Sequence, residues 1–170
     1  MKLFNLKYIL IASIVLIISI FLIYNMKKQE EIHEDWRTPQ IVEIKQFKSE
    51  DIQGITFDYP IFKNYPIKRT DSKPNNVSIF FSWPKYLNLV VTPQISVKVE
   101  KKLSKLIGST PKNKNGIYYT KQTEPWPELY FQLPSYSVTI VVFDGPGFST
   151  EILFDKIIET FNAPKNYSFN

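Results

Sequence analysis

Three regimes of hydrophobic patterning follow one another along the chain. From Tyr8 to Tyr24, YILIASIVLIISIFLIY carries no charge, proline or glycine, and only Ala12, Ser13 and Ser19 are small or weakly polar. At ~1.5 Å per residue such a helix spans about 26 Å, slightly less than a bilayer core of about 30 Å. The ends compensate: Tyr8 and Tyr24 suit the headgroup level, and Lys7, Lys27 and Lys28 can extend their amines into water. A buried helix of a soluble domain would show a polar face, and this run has none. A membrane anchor over residues 8–26 is expected. FLIYNMKK offers no small-residue cleavage site, so the anchor reads as uncleaved rather than as a signal peptide. The short basic leader, residues 1–7, favours a cytoplasmic N-terminus, with the rest of the chain outside the cytoplasmic membrane in a single-pass arrangement.

The second regime, residues 27–40, is polar and aperiodic and ends near Pro39, which reads as a juxtamembrane spacer. The third begins at Ile41 and alternates with period two. IVEIKQF (Ile41–Phe47), ITFDY (Ile55–Tyr59), VSIFFSW (Val77–Trp83), ISVKV (Ile95–Val99), IYYT, LYFQL (Leu129–Leu133) and YSVTIVVF (Tyr136–Phe143) all read as strands. The last is the longest continuous apolar run, which predicts a central strand covered on both faces. In EKKLSKLIG, Val99, Leu103, Leu106 and Ile107 share a helical face before Gly108, predicting a short mid-chain helix or long turn. Apolar residues at 152, 153, 154, 157, 158 and 161 predict a C-terminal amphipathic helix. The fold class is α+β: a mostly antiparallel sheet covered by these two helices, in one domain over residues 41–164 with a tail over 165–170.

Two stretches carry a resemblance. GITFDYPIF supplies Gly54, Phe57, Tyr59 and Pro60 of an F-x-x-x-YP-like opening strand, and ILFDKIIETF supplies Ile157, Ile158, Thr160 and Phe161 of a closing helix after the last long strand. Together with the order of elements across residues 41–164, these resemble the PsbP-like family of small exported or membrane-anchored α/β domains. The resemblance implies an antiparallel sheet between helices and a role as an accessory or assembly factor that binds partners. It brings no catalytic residues with it.

Composition narrows the chemistry further. The chain has no cysteine, which excludes disulfides, thiolate metal sites and a cysteine nucleophile. Its only histidine, His33, lies in the spacer among Glu30, Glu31, Glu34 and Asp35, where a solvated charged face explains it better than a metal site. A Ser-His-acid triad therefore has no histidine within the domain, and no hydrolase, zincin or calcium-loop motif occurs. We expect no enzyme, cofactor or metal. The glycines of VVFDGPGFSTE invite comparison with a phosphate cradle, but Pro146 removes a backbone donor and no lysine follows Gly147. Ser149 or Thr150 capping the helix, with Glu151 in its first turn and Phe148 as an apolar clasp before it, is the simpler account.

Three surfaces remain as candidates. Lys98, Lys101, Lys102, Lys105, Lys112, Lys114 and Lys121 form a basic stretch offset by little besides Glu100. A solvated helix and loop explain such lysines, and an anionic surface would also fit them, with Lys101 and Lys105 as the contacts. Arginine interleaved with aromatics is missing, since only Arg37 and Arg69 occur, so nucleic acid is not an expected partner. In TEPWPELYF, Pro125 and Pro127 hold Trp126 extended, either packed under its loop or presented with Tyr130 to a partner. SWPKYLN sets Trp83 and Tyr86 around another proline; burial suits Trp83 best, and both residues also fit an interface. The expected function is a membrane-anchored, extracytoplasmic, non-enzymatic domain that recruits or stabilises a protein or envelope partner. The alternative is a lipid or small-ligand binder with an aromatic-lined cleft between sheet and helix.

Overall fold

A computed structural model describes residues 2–82, 92–101, 110–123, 125–145 and 147–169, with side chains of the first helix described over 11–28. The chain divides into two units, Met1–Thr38 and Pro39–Asn170. The first is a single helix, α1 (Lys2–Arg37), about 54 Å long at ~1.5 Å per residue. Its stretch Ile11–Lys28 is long and apolar enough to cross a membrane, and its apolar side chains, Leu16, Ile17 and Phe21 among them, are exposed rather than packed. The anchor expected from the sequence thus corresponds to a helix without a protein core to bury it.

The second unit is α+β, as expected. Its strands are β1 (Ile41–Phe47), β2 (Phe57–Phe62), β3 (Ile67–Lys73), β4 (Asn76–Phe81), β5 (Gln94–Glu100), β6 (Tyr118–Gln122), β7 (Glu128–Gln132) and β8 (Ser137–Phe143), followed by α2 (Thr150–Thr160). β1 and β2 pair antiparallel as a separate ribbon, while the other six form an antiparallel sheet in the order β3-β4-β5-β8-β7-β6. Alternation decides which side of the large sheet is core. Val77, Ile79 and Phe81, Ile95, Val97 and Val99, Leu129 and Phe131, and Val138, Ile140 and Val142 all point inward and are buried.

α2 and the β1–β2 ribbon cover that inner face. Leu153, Phe154 and Ile157 of α2 are buried, with Phe161 just beyond the helix. Phe131 of the sheet stacks on Phe161 with ring centres 3.7 Å apart, and Phe161, Phe57 and Phe47 continue the row at 6.5 and 4.6 Å into the ribbon. Phe148, before the helix, sits among Phe62, Tyr65 and Phe81 at 4.8 to 5.4 Å and is the clasp anticipated from the sequence. Ser149 is the cap, its Oγ accepting the N–H of Ile152 at 3.3 Å, and Thr150 instead donates its hydroxyl to Asp144. The glycine corner is thus occupied by capping and packing. Pro146 lies outside the described residues.

Three expectations change. β8 is central in the strand order, but among the described residues α2 and the β1–β2 ribbon cover one of its faces only, and Thr139, Val141 and Phe143 on the other are partly buried rather than fully so. Val99 belongs to β5 rather than to a helix, and the rest of the expected mid-chain helix lies outside the described residues. β3 has no counterpart in the sequence reading: its residues IKRTDSK are nearly all exposed at the sheet edge, so no apolar alternation marks it. The residues after Pro164 also pack on the domain. Tyr167 lies 5.2 Å from the Tyr136 ring and donates its hydroxyl toward Asp51 O at 3.2 Å and Asn75 Oδ1 at 3.0 Å.

Candidate functional site

Among the described residues, nothing covers the face of the six-stranded sheet that lies away from α2 and the β1–β2 ribbon, its open face. Strand register fixes its rows. Arg69, Phe80, Gln94 and Phe143 stand side by side across β3, β4, β5 and β8, and Asp71, Ser78, Ser96, Val141, Glu128 and Gln122 form the next row. Beyond them lie Lys98, Thr139, Tyr130 and Thr120. A solvent-facing sheet would ordinarily carry polar residues at its centre, and here Phe80, Val141 and Phe143 take those positions.

The first row is extended by Trp126. Its indole lies 5.5 Å from the Phe143 ring and is 60% exposed, so the proline-flanked loop presents the ring instead of burying it. At the other side of the row the Arg69 guanidinium lies over the Phe80 ring, 4.4 Å from its centre, and bonds Asp71 Oδ2 through Nε at 3.2 Å. The row therefore ends in two different handles, a cation stacked on an aromatic and an exposed indole, with Gln94 between. Trp, Tyr and Arg held on a rigid strand framework are the residue types that contribute most at protein interfaces.

The sequence candidates separate accordingly. Tyr130 faces the open side through the period-two alternation of β7, and Trp126, in the loop before β7, reaches the same side through its contact with the Phe143 ring. Lys101 follows β5 at the opposite end of the sheet, exposed, with its ammonium 5.0 Å from the Phe169 ring centre, and does not join them. Trp83, Tyr86 and Lys105 lie outside the described residues. The basic stretch does not form a free cationic patch among the described lysines. Lys98 reaches Glu100 at 2.8 Å, Lys121 reaches Asp155 of α2 at 3.2 Å, Lys114 approaches Glu159 at 4.0 Å, and Lys112 sits over Tyr118. Phe80, Phe143 and Arg69 escaped the sequence reading because their common row depends on register across the β3–β4 hairpin and the longer-range β4–β5 and β5–β8 pairings.

A cleft of about 740 Å³ lies elsewhere, where Asn115, Tyr118, Gln132, Leu133 and Asn162 meet the segment after α2. Asn113 beside it is spent on structure: buried, it donates Nδ2–H to Phe161 O at 2.8 Å and accepts at Oδ1 from the N–H groups of Asn115 and Ile117. The space between sheet and α2, where a ligand cleft was anticipated, is filled by the stacked rings of Phe131, Phe161 and Phe57. Among the described residues no group of three or more His, Asp or Glu is arranged to hold a metal. No family model, curated protein or solved structure matches the chain.

Proposed function

We propose that the chain is a single-pass protein of the cytoplasmic membrane whose domain faces outward and binds a protein or envelope partner without catalysing a reaction. The observation that carries the proposal is the sheet face left without cover by the described elements, with its Arg69–Phe80–Gln94–Phe143 row continued by exposed Trp126. Membership of the PsbP-like family is part of this reading, on the strength of the opening-strand and closing-helix residues. Anchorage by α1 would hold the domain within reach of membrane partners and raise their effective concentration.

Photo-crosslinking from position 126 in intact membranes tests the proposal, with position 114 as a control away from the open face. A discrete protein adduct from position 126 alone is expected, and Phe143→Ser or Arg69→Glu should abolish it. With the captured partner in hand, Trp126→Ala is expected to weaken binding by about thirtyfold, the effect of losing a hot-spot residue worth ~2 kcal/mol. Equal labelling from both positions would overturn the open face as the site. The cleft beside Tyr118 supports a second reading, a lipid or small-ligand binder, for which native mass spectrometry should find a co-purifying molecule that Gln132→Trp displaces.

A further inference from the structure

β1 is an edge strand of unusual composition. It pairs with β2 on one side only, and no described strand lies along its other edge. Ile41, Val42 and Ile44 are 46%, 60% and 46% exposed. Soluble proteins commonly protect such edges with bulges or charges, since an open apolar edge invites another strand. The one irregularity here falls between Ile41 and Glu43 and leaves Glu43–Phe47 in regular register with β2. It also turns Ile41 toward the side of Ile44. Both line a hollow of about 290 Å³ with Pro60 and the partly exposed Ile152 of α2, rimmed by Asp155, Lys156 and Glu159. The opposite side of the strand carries Glu43, exposed, and Lys45, partly so, 3.7 Å apart, and ends at buried Phe47.

We infer that β1 is the self-association edge of this protein, pairing antiparallel with β1 of a second copy about a two-fold axis through Ile44. Charge complementarity selects both the occupant and the register. A two-fold axis perpendicular to an antiparallel pair sets one residue opposite its own copy, so the possible centres are few. Centring on Glu43 would oppose two carboxylates, and centring on Lys45 would oppose two ammonium groups. Among centres from Val42 to Gln46, only Ile44 sets Glu43 opposite the partner's Lys45, and by symmetry does so twice. The same register joins Ile44 to its copy and runs the two Ile41–Ile44–Ile152 hollows into one apolar strip. Two copies anchored in one membrane are confined to the bilayer, which raises their encounter rate.

The absence of cysteine makes the test clean. Directly opposed residues of an antiparallel pair have Cα atoms about 4.5 to 5.5 Å apart, within disulfide reach. Full-length Ile44→Cys, in membranes under mild oxidant, is expected to give a dimer. Thr70→Cys, exposed on β3 at the edge of the large sheet, is expected to give only the background of collisions within the membrane. In the Ile44→Cys background, Glu43→Lys or Lys45→Glu alone should lower the dimer yield about tenfold, and the double exchange should restore it. Neither charge is buried, so circular dichroism should find all variants folded. Equal crosslinking at 44 and 70, failure of the double exchange to restore dimer, or an adduct with a different protein would each overturn the inference. Membrane fractionation reads the anchor separately, and the position-126 crosslink reads the open face, so failure of either is distinguishable from failure of this edge.

Discussion

Tyr59 is buried beside Glu43, and its phenol is pushed up to about 12, first by burial and then by the nearby carboxylate. Tyr136 is raised by burial and by Tyr167, and its hydroxyl donates to Pro164 O at 2.5 Å. A phenol whose pKa is higher in the folded than in the unfolded chain contributes stability that is whole below the ordinary value of 10 and is lost as pH rises through the folded value. The domain should therefore lose stability between about pH 10 and about pH 12, a window set by the ordinary and folded values of Tyr59. Thermal melts across that range, with spectrophotometric titration of tyrosinate, check it. Tyr59→Phe should flatten part of the loss, and an unchanged melting point up to pH 12 would contradict the assignment. Asn113 makes a second prediction. Asn113→Ala leaves the part-buried N–H groups of Asn115 and Ile117 without their side-chain acceptor and should cost about 1 kcal/mol by chemical denaturation. Nothing local revealed this role. NKNG reads as an ordinary turn, and the Phe161 carbonyl that fixes the amide comes from 48 residues away.

Among the elements, α2 was the most legible. Its apolar spacing, a cap at Ser149 or Thr150 and the acidic Glu151 agree with one another before any tertiary contact is considered, and the structure settles the cap on Ser149. Ser149→Ala should cost about 1 kcal/mol. Ile157→Asp places a carboxylate in the fully buried face and should abolish folding, as monitored by circular dichroism. Phe161→Ala removes the ring that links Phe131 to Phe57 and should cost about 3–5 kcal/mol, a large part of the stability of a domain this size. Gly147 has φ +78, so Gly147→Ala should cost about 1–2 kcal/mol through backbone strain alone. A loss of nucleotide-dependent stabilisation in that variant would restore the phosphate-cradle reading. β3 was illegible for the converse reason: an exposed edge strand owes its conformation to pairing with β4, which neither its composition nor its periodicity records.

For the whole molecule, the two units predict separable behaviour. The fragment Pro39–Asn170 contains the buried core of the described residues and should unfold in one cooperative transition without detergent. The full chain, carrying the apolar Ile11–Lys28 stretch, should sediment with membranes and resist alkaline extraction. A full chain that remained in the supernatant would remove the anchor and the confinement argument with it. Sequence alone determined the apolar helix, the α+β class, most strand positions and the closing helix, because these rest on periodicities of two and 3.6 and on an uninterrupted apolar run, all properties of neighbouring residues. The tertiary structure decided, among the described residues, which face of β8 is left open, that Trp126 stands out beside Phe143, that the described lysines are spread among separate partners, and that no described strand covers the edge of β1. Those features depend on strand order, register and coverage. They arise from contacts between distant segments, and the alternation within any one strand is the same whichever face is covered.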